Sequence, residues 1–200
     1  MKYISNILLI AGVVLIAFFG YQLFQGELNQ KNSLAQAEEY IAKEQDPSSI
    51  QKKRGNDEKK MKEEKAFHVA DGEAFATLEI PKLGKTLPVV EGTDPDSLDK
   101  GVGHLSNSVL PGDGEQILLS GHRDTVFRDF GEIEIGDQFT VNMPDGSYTY
   151  EIKETVIVSE NDTSVIRSMG EEVLVVTTCY PFHFIGNAPE RFVTYAYPVE

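Results

Sequence analysis

Cysteine is almost absent from this chain: its 200 residues hold one, Cys179. A lone thiol has no internal partner, which excludes a disulfide framework and leaves the fold to its hydrophobic core. About 130 residues rich in Val, Ile, Leu, Phe and Tyr suffice for such a core. No internal repeat is present, so a solenoid is excluded. Positive charge is scarce beyond residue 70. Residues 71–200 carry eight basic and 23 acidic side chains, against ten basic and nine acidic in residues 1–70, and the whole chain has a net charge of −14. A domain this acidic repels polyanions, which argues against nucleic-acid binding; solubility is the plainer use of the charge. The His, Cys and acidic residues lack the spacing of a metal site, so neither a metal nor another cofactor is expected.

What is present begins with a long apolar run. Ile7 to Phe24 is eighteen residues without a charge. As a helix it spans about 27 Å, close to the roughly 30 Å of a hydrocarbon core. The run predicts a membrane anchor over residues 1–26. A cleaved signal peptide is the alternative, but no small-x-small site follows in Phe24-Gln25-Gly26-Glu27. Lys2 precedes the run, and Lys31 and Lys43 follow it sparsely, so the positive-inside bias is slight. It favours an amino terminus inside and everything after Phe24 outside the cytoplasm.

Residues 27–70 read as a polar, partly helical stalk. Leu34, Ala37 and Ile41 have helical spacing, Asp46-Pro47-Ser48-Ser49 breaks it, and a mixed charge run follows from Lys52 to Lys65. Nothing there predicts a core; the stretch is a solvated spacer, or else a flap over a site. Residues 71–200 read as one β-rich domain. Strands are expected at Ala74–Ile80, Leu87–Glu91, Glu115–Gly121, Gln138–Met143, Tyr148–Val158, Val173–Thr178 and Arg191–Tyr197. Pro144-Asp145-Gly146 is a hairpin turn. Asp94 to Gly101 is a short capped helix, Val165 to Gly170 a helical turn, and Gly101 to His104 a loop. Seven or eight short strands between turn signals suggest a small barrel or sandwich.

Two of these strands end at reactive side chains. Ile117-Leu118-Leu119-Ser120-Gly121 runs into His122, and Val173 to Thr178 runs into Cys179. A nucleophile and its proton partner need such placement, fixed by a rigid element yet exposed at its end. An ordinary thiol is only about 3% thiolate at pH 7, so a working one needs a basic or cationic neighbour. Cys179 can equally be a small buried apolar residue. Among the histidines, His68 lies in the stalk, His104 is placed to pack or to bind substrate, and His183 is a rival four residues beyond the thiol. His122 is preferred because a strand fixes it and Ser120-Gly121 leave room. Arginine is restricted to Arg123, Arg128, Arg167 and Arg191 in the domain. Arg191 opens the last strand, and an antiparallel return would bring it near Cys179. There a guanidinium could support an oxyanion, or it could form a surface salt bridge with Glu190.

Three stretches in this order carry a resemblance: Leu119-Ser120-Gly121-His122-Arg123-Asp124, Val176-Thr177-Thr178-Cys179-Tyr180-Pro181-Phe182 and Ala188-Pro189-Glu190-Arg191-Phe192. With Gly101-Val102-Gly103-His104 and Val109-Leu110-Pro111-Gly112, they resemble the sortases of Gram-positive bacteria over roughly residues 72–198. The resemblance implies an eight-stranded sortase-type β-barrel with short helices. It implies a cysteine transpeptidase that cuts surface proteins at a Leu-Pro-x-Thr type sorting signal, after Thr, and joins them to an amine of the peptidoglycan precursor. His122, Cys179 and Arg191 match the family's catalytic positions. Val165, Ile166, Thr178 and His104 are the candidates for contact with the peptide. The Tyr-Pro-Phe after the cysteine, the short chain and the lack of a C-terminal apolar span look most like class D. Ser159 to Glu172 is too short for the helical insertion of class B. Leu105 to Glu115 holds only Asp113 and Glu115, so the calcium site of some class A members is not carried over. Two other readings fit the same residues: a membrane-tethered cysteine peptidase that mainly hydrolyses, and a non-catalytic surface β-domain.

Overall fold

The structure is a computed structural model and describes residues 2–45, 69–183, 186 and 188–199. The helix break expected at Asp46, the charge run from Lys52 to Lys65 and His68 lie outside the described residues. Eight strands form a closed barrel in the order β1-β2-β3-β4-β7-β8-β6-β5. They are β1 (Ala74–Ile80), β2 (Lys85–Glu91), β3 (Val102–His104), β4 (Gln116–Gly121), β5 (Gln138–Met143), β6 (Gly146–Ser159), β7 (Val173–Tyr180) and β8 (Glu190–Pro198). Among the described residues closure leaves no end strand to the sheet, an architecture that an acidic β-domain without disulfides can use against edge-to-edge aggregation.

Most neighbours are antiparallel, but β2 pairs with β3 and β4 pairs with β7 in parallel. The long apolar run of β7 follows from this position. Leu174 and Val176 point into the main core with Ile117, Leu119, Phe127, Phe130 and Phe139. Val173 and Val175 face the other way, into a second cluster with Leu118, Val193 and Tyr195. Both faces are covered, so the strand is apolar throughout rather than alternating.

The covering for that outer face comes from the connection between β6 and β7, where Val165 and Met169 pack. The helical turn expected at Val165–Gly170 is not formed; the segment is irregular and held by side chains instead. Gln116 donates to the Val165 carbonyl at 2.8 Å and accepts from the Arg167 amide. Glu115 accepts from the Ser168 hydroxyl and the Met169 and Gly170 amides. Glu172 accepts from the Gly112 and Gly114 amides and from the buried Tyr150 hydroxyl. These bonds replace the backbone pairing that a regular turn would supply.

A short helix, α2 (Pro95–Leu98), starts as its sequence predicts. Asp94 accepts from the Asp96 and Ser97 amides, and Pro95 fills the first helical position. The stretch expected as a loop from Gly101 to His104 is strand β3 from Val102 onward. Gly103 permits this because a Cβ there would run into the Gly92 carbonyl.

The amino-terminal helix, α1, spans Lys2–Gln45 and passes through residue 26 without a break. Its first half is exposed and long and apolar enough to cross a membrane by length and composition. The next stretch does not stand off as a solvated spacer. Ser33 and Ala37 are buried, Ala37 clusters with Ala74 and Val90, and Tyr40 packs against the main core. The Leu34, Ala37 and Ile41 spacing therefore marks a helix face that docks on β1 and β2.

Candidate active site

Parallel pairing of β4 with β7 decides the site. Gly121 lies opposite Thr178, so His122, just past β4, and Cys179, next to the last residue of β7, come to the same rim. Two antiparallel strands would have sent them to opposite ends. The Thr178 hydroxyl donates to the Gly121 carbonyl at 2.8 Å, tying the two strand ends together directly beneath the reactive pair. Antiparallel β8 then sets Arg191 opposite Cys179.

Each of the three is partly exposed. His122 Nε2 lies 3.8 Å from Asp99 Oδ1, at the end of α2. Arg191 donates through Nη1 to the carbonyls of Ala188 and Glu190, at 3.0 and 2.9 Å. Its Nη2 lies 3.7 Å from the Glu160 carboxylate. The salt bridge expected with Glu190 is thus a backbone contact, and the carboxylate partner comes from β6's end. Cys179 is a free thiol.

Gly121 has a different use from the one expected. It does not widen the space around His122; a Cβ there would sit 2.6 Å from the Phe127 ring and 2.8 Å from Val126. The missing side chain lets the turn after His122 fold back onto the core. Arg123, 7% exposed, anchors the opposite loop by donating to the Pro181 carbonyl at 2.8 Å and the Gly186 carbonyl at 2.9 Å. A buried guanidinium with fixed donors is suited to holding two carbonyls of an irregular loop.

Two expected substrate contacts are instead scaffold. His104 is 3% exposed, with Nδ1 2.8 Å from Glu91 and Nε2 near the Val109 carbonyl and Ser108 hydroxyl. Thr178 is 2% exposed and bonded to Gly121. Both polar side chains are buried because both have partners, and neither reaches solvent to meet a peptide. Val165 is half-buried in the outer cluster, whereas Ile166 is 46% exposed. His183 is exposed and lines a cleft of about 450 Å³ with Arg123, Asp124, Phe127, Arg128 and Phe182, a cleft that includes none of Cys179, His122 and Arg191.

Asp99, Arg123 and Glu160 escaped the sequence reading. Asp99 and Glu160 are remote in sequence from what they touch. Arg123 carried a signal, its place beside His122, but its partners are nearly sixty residues away.

A closed eight-stranded barrel thus carries a thiol, an imidazole and a guanidinium on one rim. Residues 78–199 match the Sortase domain family, and the chain belongs to the sortase family. It is 43% identical to Sortase D of Bacillus subtilis (strain 168) over 195 residues, covering 97% of this chain and 96% of that protein. It is 38% identical to the catalytic domain of SrtD from B. anthracis, with a TM-score of 0.56, over 68% of this chain and 97% of that one. The Sortase D5 transpeptidase of Clostridium perfringens shares the fold at a TM-score of 0.68 and 22% identity, over 86% of this chain and 99% of that one. Within the family the chain is most like class D, and as a sortase it is a membrane-anchored enzyme of cell-wall protein attachment.

Proposed function

We propose that Cys179 is the acyl-thioester nucleophile, His122 the proton donor and acceptor, and Arg191 the oxyanion support, within a catalytic domain of residues 71–200. The observation that carries this reading is the shared rim: the β4–β7 and β7–β8 registers bring the three together from segments up to 69 residues apart. The thiolate attacks the Thr carbonyl carbon of a Leu-Pro-x-Thr type signal. The oxyanion accepts from Arg191. His122, as imidazolium, gives its proton to the leaving amine as the peptide bond breaks. An amine of the peptidoglycan precursor then attacks the thioester, neutral His122 takes its proton, and Cys179 leaves as thiolate. One imidazole serves as acid and then base. Exposed Ile166 and half-buried Val165 are proposed as the wall that meets the Leu-Pro part.

Lys2 before the apolar stretch supports an amino terminus inside, a catalytic domain outside, and lipid contact through Ile7–Phe24. The assignment is tested with the full chain in detergent, a sorting-signal peptide and an amine acceptor. Thioacyl enzyme should form with the parent and not with Cys179→Ala. Activity that survives His122→Ala but not His183→Ala would move the acid-base role to His183. Full activity in Arg191→Lys would remove the oxyanion role. Products analysed with and without the amine separate transfer from hydrolysis.

A further inference from the structure

Direction is the informative property of α1. Glu27, Gln30, Lys31 and Leu34 share a cleft with Thr86, Leu87 and Pro88, at the start of β2. One to two turns later Ala37 meets Ala74 and Val90, at the start of β1 and near the end of β2. The helix therefore runs alongside β2 and parallel to it. The start of β2 belongs to the catalytic end of the barrel. Lys85 donates there to the Arg128 carbonyl and pairs with Asp129 at 3.8 Å, both in the turn that follows His122. On the other side of α1, Asn29, Asn32, Ser33 and Gln36 border Gly72 and Lys100, whose ammonium donates to the Gly72 carbonyl at 2.9 Å.

Spacing adds a second constraint. Phe24 ends the apolar run and Glu27 already faces β2. Three helical residues advance about 4.5 Å. The headgroup layer is about 5–8 Å deep on each side, from a 40–45 Å bilayer around a 30 Å core. No length is left for a spacer between lipid and barrel on this side.

We propose that the barrel stands on its anchor with the catalytic rim toward the bilayer, so that the site opens into the layer beside the lipid headgroups. This rests on reading the apolar half of α1 as a membrane span and the His122–Cys179 rim as catalytic. The opposite end, where β7 begins after Glu171, points away from the membrane. A site so placed meets peptides and amines that are still held at the bilayer, and it selects them by position rather than by added contacts.

The test uses the full chain in phosphatidylcholine vesicles whose headgroups carry a short-range spin-label quencher in both leaflets. A fluorophore is attached to Glu132→Cys, on the rim turn, or to Glu171→Cys, at the far end, each in a Cys179→Ala background. Both positions are exposed. The eight residues of β7 span about 26 Å at roughly 3.3 Å per residue, beyond the reach of contact quenching. The Glu132 label is expected to be quenched and the Glu171 label to keep its intensity. Equal quenching, or stronger quenching at Glu171, overturns the orientation. The readout needs no turnover, so its failure is separate from any failure of the catalytic assignment.

Discussion

Replacing Thr178 with Val tests whether the bond beneath the reactive pair positions it. The side chain is buried and gives one hydrogen bond, 2.8 Å to the Gly121 carbonyl. Valine keeps the shape and loses the donor. The net loss of a buried neutral hydrogen bond is about 1 kcal/mol, and about 1–3 kcal/mol where the acceptor left behind stays dry. We expect about 1–2 kcal/mol, which for a domain of about 130 residues lowers Tm by roughly 3–8 °C. Thr178→Ser keeps the hydroxyl and should recover most of that loss. Thermal unfolding of the full chain in detergent gives the stability arm, and initial rates against peptide concentration give the kinetic arm. If the tie holds His122 in reach of Cys179, kcat falls while KM stays. A misplacement of about 1 Å near the reacting atoms costs up to about a hundredfold, so even a partial shift is measurable. Unchanged Tm and kcat in Thr178→Val would refute the reasoning. A raised KM at unchanged Tm would return Thr178 to the substrate contacts.

Arg123→Lys should lose the two-pronged grip on Pro181 and Gly186 and loosen the loop between Cys179 and Arg191; faster proteolytic nicking there and a lower kcat are expected, at about 1.5–3 kcal/mol per charged hydrogen bond lost. Glu115 is held at a pKa of about 2, below its ordinary 4.5, by the Ser168 hydroxyl first and the Met169 amide next. A depressed carboxylate stabilises fully above its unfolded pKa and stops doing so as pH falls through the folded one. The Tm gap between parent and Glu115→Gln should therefore be constant above pH 4.5 and close on descent toward 2; a gap that is flat across that range contradicts the pinning. Asp99→Asn should change activity by less than about fivefold, because an exposed pair at 3.8 Å is worth at most about 1 kcal/mol; a larger loss in steady-state rate makes Asp99 an orienting partner of His122.

The strands were legible because their patterns are local. Ala74–Ile80 and Gln138–Met143 occupy the residues their composition predicts, and Asp94-Pro95 announces its own helix. The two strand ends with His122 and Cys179 were also legible, because apolar runs stop there. What no local pattern encodes is strand direction. The parallel union of β4 with β7 joins residues more than fifty apart and is the step that puts both side chains on one rim. His104 was misread for a related reason: a polar residue just after Gly101 and Gly103 looks like a loop until Glu91, thirteen residues upstream, is seen to bond to it. Residues 27–45 were misread as spacer because their apolar face is narrow, built of Leu34, Ala37 and Ile41, and small residues let a helix lie close on a sheet.

The last strand lies between β6 and β7 and carries Arg191 into place opposite Cys179. Until β8 arrives, β6 and β7 are open edges and Cys179 has no strand partner on that side. β8 is thus both the closure of the barrel and the completion of the rim, joining its near neighbour in sequence, β7, to the more distant β6. A chain that has not yet paired β8 holds Cys179 without Arg191 opposite it. With the roles proposed for Cys179 and Arg191, activity waits on closure of the barrel.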